Sequence, residues 1–160
     1  MKPMHTELDF NQTPLLVIWE VTRACALACR HCRAAAIDER DPLELNTDQG
    51  KALIDDVARM GTPLIVFTGG DPLQRTDLEV LIKHACAAGL RVGTIPAATP
   101  RLTRERLVSV RDAGVHQLAM SIDGSTEERH DAFRRVPGSF ARTMQGAAWA
   151  IDLGIPLQIN

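Results

Sequence analysis

The chain has 160 residues, a formal net charge of −2 and a hydrophobic share of 45%. These values describe one globular domain with room for a real core, and they exclude a basic nucleic-acid-binding stripe and a disordered acidic tail. The longest apolar run, residues 15–19, is too short to span a bilayer. The opening, MKPMHTELDF, has neither an apolar signal region nor a small-residue cleavage site, so a cytoplasmic protein is expected.

The first apolar run, LLVIWEV at residues 15–21, is continuous and predicts a buried parallel strand. Asn46, Thr47 and Asp48 can cap a helix that runs through Leu53, Ile54 and Val57 to about Met60, where Gly61 stops it. A second buried strand follows at residues 64–68 and a second helix at 77–88, stopped by Gly89. The third strand is expected at 91–96, the third helix at 103–113 before Gly114, and the fourth strand at 116–122. A broken helical stretch at 125–133 precedes a longer helix at 139–153, and residues 156–160 open a fifth strand. The alternation of strand and helix, with short Gly- or Pro-closed loops, predicts an α/β fold with a parallel sheet. An open doubly wound sheet and part of a (β/α) barrel both fit that periodicity.

Three of the four cysteines crowd into Cys25-Ala-Leu-Ala-Cys29-Arg-His-Cys32, just after the first strand. Such crowding argues against a disulfide framework and for metal or redox chemistry. Thiolates are soft ligands that suit zinc and iron–sulfur clusters. Structural zinc takes four ligands, often as two separated pairs, and this triplet has no second pair. A cubane cluster ordinarily takes four cysteines, so three would leave one iron open.

The spacing resembles the signature of the radical S-adenosylmethionine (SAM) superfamily. The resemblance implies a [4Fe–4S] cluster on Cys25, Cys29 and Cys32, with SAM chelating the open iron through its amino and carboxylate groups. An electron from the reduced cluster then cleaves SAM to methionine and a 5′-deoxyadenosyl radical, which abstracts a hydrogen atom from substrate. The residue before the third cysteine is usually aromatic in that family and packs near the adenine; here it is His31. The rival reading from another class is a non-catalytic zinc or iron–sulfur module on the same three cysteines.

Further segments extend the resemblance. Thr68-Gly69-Gly70-Asp71-Pro72 is similar to the family's Gly-Gly-Glu-Pro turn, which holds the SAM amino group, with Asp71 in place of Glu. Read without the family it is a plain turn. Ser121-Ile122-Asp123-Gly124 resembles the Ser-Leu-Asp-Gly segment of the SPASM-type branch. By that resemblance Ser121 contacts the SAM carboxylate or ribose and Asp123 shapes the turn. The segments from His130 to Arg134 and from Pro137 to Phe140 match the same branch, where an arginine at the position of Arg134 pairs with the SAM carboxylate. A slip of one residue would give that role to Arg135. Residues 95–99 are expected near the ribose, and Gln158 and Asn160 are read as facing the same cavity. Cofactor binding is thus assigned to Gly69, Gly70, Asp71, Ser121, Arg134 and His31. The cysteines, the glycine turn, residues 95–99 and Ser121 each follow a strand, and active sites gather at strand carboxyl ends in parallel α/β folds.

Other residues have structural readings. Cys86 shares a helix face with Ile82 and is expected in the core. Trp19 and Trp149 are read as packing residues and His130 as a structural group bonding a loop backbone. His5, His84 and His116 carry no constellation, and Asp55, Asp56 and Arg59 read as a solvated face. The whole reading is an N-terminal extension at residues 1–13 and an incomplete radical SAM core at 14–160, a partial TIM barrel stopping at the start of its fifth strand and expected to be inactive alone. The nearest branches imply a tetrapyrrole substrate, in haem d1 or alternative haem biosynthesis, or a peptide in a maturase. The implied electron donor is flavodoxin- or ferredoxin-like.

Overall fold

The computed structural model describes residues 9–160, so residues 1–8 of the expected N-terminal extension, with His5, lie outside it. Five strands alternate with helices: β1 (Leu16–Glu20), α1 (Thr47–Arg59), β2 (Leu64–Thr68), a 3-10 turn (Pro72–Gln74), α2 (Leu78–Ala87), β3 (Arg91–Thr94), α3 (Arg104–Asp112), β4 (Gln117–Met120), α4 (Glu127–Arg134), α5 (Ser139–Asp152) and β5 (Leu157–Ile159). All pairings are parallel and the spatial order is β1-β2-β3-β4-β5. A doubly wound sheet reverses its strand order at a switch point. This sheet never reverses, which is the order of a barrel wall.

Helix ends follow the side-chain chemistry. Asn46 caps α1 in a reciprocal capping box with Gln49, and Thr103 and Thr126 cap α3 and α4. The glycines expected to stop α1, α2, α3 and α5 each follow the helix's last capping residue. Asp77 stands at the cap position of α2 but makes no cap bond, because its carboxylate is held by Arg75 and Thr47. The stretch expected to be broken forms one continuous helix, α4, once Thr126 caps its first turn.

The core lies between the sheet and the helices. Ile54, Ile65, Phe67, Leu78, Leu81, Ile82, Val92, Leu107, Val110 and Leu118 are all fully buried. Each such side chain contributes roughly 1.5–3 kcal/mol. The first strand departs from expectation. It is an edge strand whose Val17 and Trp19 pack inward while Leu16 and Ile18 stay exposed. Trp19 meets Phe67 edge to face, as a packing residue. Cys86 sits at the core's margin, where its thiol donates to the Gly114 carbonyl at 3.2 Å.

Candidate functional site

Between β1 and α1 the chain makes one long excursion, and the three clustered cysteines lie on it. Long ordered loops of this kind are commonly functional. Its base is fixed by Arg75, an arginine with a wholly buried side chain. Arg75 donates to the carbonyls of Val21, where the loop leaves β1, and Leu45, where it returns. It also forks onto Asp77 and lies over the Trp19 ring. Burial works to raise the Asp77 carboxyl, but the bonds from Arg75 and Thr47 outweigh it and hold the group down at about 2. Nothing in the sequence around Arg75 marks it out, because its role depends on partners brought from two other elements.

A cavity of about 340 Å³ opens at the carboxyl ends of the strands. Cys25, Cys29 and Cys32 all line it, together with His31, Gly69, Gly70, residues 95–98, Ser121 and Arg134. Each sulfur accepts one N–H: Cys25 from Leu27 at 3.4 Å, Cys32 from Ala36 at 3.4 Å, and Cys29 from Arg134 Nη1 at 3.5 Å. Burial pushes the Cys25 thiol up to about 11, against the Leu27 amide, and the nearby charges of Asp71, Cys29 and Cys32 add to the rise. Such a thiol gives up its proton most readily to a metal. Among the described residues, no three His, Cys, Asp or Glu side chains gather tightly enough for a single metal ion. Three thiols on one cavity but apart from one another suit a polynuclear cluster better than mononuclear zinc.

The glycine turn explains itself through the chain's own backbone. Gly69 has φ 134, and a Cβ there would stand 2.2 Å from the Thr22 carbonyl oxygen. At Gly70 a Cβ would stand 2.5 Å from the Ala24 oxygen. The Gly70 amide donates to Thr22 and the Asp71 amide to Ala24, at 2.7 and 2.8 Å. The turn is therefore pressed against the first residues of the cysteine loop.

Asp71 lies behind the cavity wall. Its carboxylate is fully buried, is not part of the cavity wall, and accepts from the Leu73 amide, the Ala97 amide and the Thr99 hydroxyl. The shorter aspartate arm turns inward along the protein rather than toward the cavity.

Arg134 lies on the cavity, whereas Arg135 is exposed and left-handed at the helix end (φ 57). Arg134 Nε donates to Asp123. The Asp123 amide donates to His130 Nδ1 at 3.1 Å, so both carboxylate and backbone shape the turn after β4. His130 is buried; burial, and after it the charge of Arg134, lowers its pKa. The His31 ring stacks on Phe133 at 4.6 Å, with Nε2 3.9 Å from Asp123. The Arg30 amide donates to the Phe133 carbonyl at 3.1 Å. One face of His31 is thus taken by the protein itself. Neither Gln158 nor Asn160 reaches the cavity: they are exposed and bond each other at 2.6 Å. Thr99, the last residue of the segment expected near the ribose, lies just behind the cavity wall, where its hydroxyl bonds Asp71. His84 Nε2 and Asp55 Oδ1 lie within hydrogen-bond distance, 2.7 Å, on the helical surface.

Comparison with known proteins agrees with this arrangement. Over 145 residues the chain is 48% identical to an AdoMet-dependent heme synthase of Oleidesulfovibrio alaskensis, covering 91% of this chain and 37% of that protein. A PqqA peptide cyclase of Rhodopseudomonas palustris is 36% identical over 147 residues, covering 92% and 39%. The chain thus spans about two fifths of the curated relatives it matches. The fold superposes on methylornithine synthase with a TM-score of 0.74 at 19% identity, covering 93% of this chain and 44% of that one. It superposes on Streptococcus suis SuiB bound to S-adenosylmethionine with a TM-score of 0.77 at 16% identity, covering 93% and 34%. The family model described as the radical SAM superfamily matches residues 19–160, and the chain belongs to that superfamily.

Proposed function

We propose that this chain is the cofactor-binding part of an enzyme that cleaves SAM reductively and abstracts hydrogen from an organic substrate. The observation that carries the reading is the convergence of three thiols, the Gly69–Gly70 turn, Ser121 and Arg134 on one cavity. Cys25, Cys29 and Cys32 would hold the [4Fe–4S] cluster, which when bound and reduced supplies the electron that cleaves SAM. The Gly69–Gly70 backbone offers polar groups to the SAM amine, and Ser121 and Arg134 offer donors to its carboxylate. His31 keeps its unstacked face for the adenine. Burial of the Cys25 side of the cavity limits water around the reacting groups.

For the substrate, relatives named AdoMet-dependent heme synthase at 42–48% identity favour a tetrapyrrole whose side-chain carboxylates are removed. The PqqA peptide cyclases, at 30–36%, support a peptide as the second reading. A flavodoxin- or ferredoxin-like protein would deliver the electron.

Anaerobic reconstitution tests the first step. The expected result is a reducible cluster whose electron paramagnetic resonance changes on adding SAM, with 5′-deoxyadenosine formed under dithionite. Bound zinc with no response to SAM would leave only a non-catalytic module. A propionate-bearing iron tetrapyrrole and a precursor peptide, offered in parallel to a protein of the relatives' length, separate the two substrates by mass loss.

A further inference from the structure

Asp71 is the one cofactor-binding candidate that turns away from the cavity. Its backbone and side chain each make a different connection. The amide donates to Ala24, the residue before Cys25, at 2.8 Å. The carboxylate reaches the loop after β3, where Oδ1 accepts from Ala97 N at 3.3 Å and Oδ2 from the Thr99 hydroxyl at 2.5 Å. Oδ1 also caps the 3-10 turn through Leu73 N at 3.1 Å. Thr99 is fully buried and in turn accepts from the Arg101 amide. One residue therefore joins the cysteine loop to residues 95–98, and both form walls of the same cavity.

We propose that Asp71 is a positioning residue that fixes the loop after β3 against the cysteine loop, and so sets the cavity wall before SAM enters, instead of holding the SAM amine itself. The inference rests on the reading of this cavity as the SAM site. An aspartate suits the task where a glutamate would not. Its pocket is closed, and one more methylene would have to displace packed atoms. The side-chain oxygens also accept three N–H or O–H donors, which an apolar residue would leave unsatisfied in a buried place.

The two roles separate in a ligand lacking the amino-acid group. A direct amine contact affects SAM alone, whereas a misplaced wall affects 5′-methylthioadenosine as well. Binding of both ligands is measured in cluster-loaded Asp71→Ala, Asp71→Asn and Thr99→Val proteins, with iron content determined in each. Hydrogen exchange of residues 95–101 is followed in the metal-free proteins. Asp71→Ala and Thr99→Val are each expected to weaken both ligands about tenfold, with iron content retained and exchange raised. Asp71→Asn keeps an oxygen for Leu73 and Ala97 and should recover most of the loss.

Loss of SAM affinity in Asp71→Asn as large as in Asp71→Ala, with 5′-methylthioadenosine binding untouched, would overturn the proposal in favour of a direct contact. Wild-type affinities in Thr99→Val would overturn it too, and that variant decides the matter if Asp71→Ala does not fold. If the unaltered cluster-loaded protein does not bind SAM, the reading of the cavity fails. In that case the exchange measurement still tests the clamp: faster exchange at residues 95–101 supports it and unchanged exchange refutes it.

Discussion

Arg134 Nη1 points at the sulfur of Cys29 from 3.5 Å, across 105 positions of sequence. Its Nε is held by Asp123 at the same time, so the guanidinium is oriented before any ligand arrives. An arginine placed between a cluster ligand and the cavity can serve both the sulfur and an incoming carboxylate. Arg134→Ala should therefore weaken SAM binding by roughly 1.5–3 kcal/mol. Arg135→Ala, on an exposed side chain, should leave it unchanged. Titration of cluster-loaded protein with SAM checks both, and the reverse pattern would mean that the neighbouring arginine does the binding.

Cluster loading should distinguish the four cysteines. Alanine at Cys25, Cys29 or Cys32 is expected to abolish the visible charge-transfer band and most bound iron and sulfide. Cys86→Ala should keep both, at a stability cost of about 1 kcal/mol. Retained cluster in Cys29→Ala would remove that residue from the ligand set.

The glycine turn makes a separate test of the cysteine loop. A Cβ at Gly69 would fall 2.2 Å from a backbone oxygen, and the left-handed φ of 134 adds strain. Gly69→Ala should displace Thr22 and the cysteines beyond it. The expected outcome is reduced iron incorporation with little change in far-ultraviolet circular dichroism, since the clash lies outside the helices.

Arg75 and Asp77 give a prediction in pH. Asp77 has an ordinary value of 3.8 and is held at about 2 in the fold. Its contribution to stability is therefore complete above pH 4 and is lost as pH falls through about 2. Urea unfolding of the metal-free protein should weaken over that window, and Asp77→Asn should flatten the weakening. Arg75→Ala should cost roughly 1.5–3 kcal/mol at neutral pH, because it leaves a part-buried carboxylate and two carbonyls without their charged donor.

The elements were legible in the sequence wherever a local signal governs them. Asn46 and the glycines after the helices act on their own stretch of backbone, and the structure uses them as read. The grouping of the cysteines on one cavity was legible because three thiols lie within one short loop. What escaped depends on partners distant in sequence. Asp71 has the composition of a cofactor-binding turn, yet Thr99, 28 residues on, claims its carboxylate. The apolar run of β1 looks buried on both sides, but one face of the strand looks into the open cavity and exposes Ile18. Gln158 lies on β5 and Asn160 just beyond it, and their exposed side chains bond each other and, for Gln158, Gln117.

The fastening of the cysteine loop to the end of α4 also bears on the order in which the protein is made. Arg30 and Cys29 find their partners at Phe133 and Arg134, a closure far longer than any strand-to-strand step. Long closures carry the larger entropy cost and form late. On the ribosome the three cysteines emerge well before the residues that fix their loop. A cluster delivered at that moment would meet thiols on a loose chain, without the wall that shields them. The loop would offer a cluster its full set of contacts only after residue 134 has been synthesised and α4 has docked.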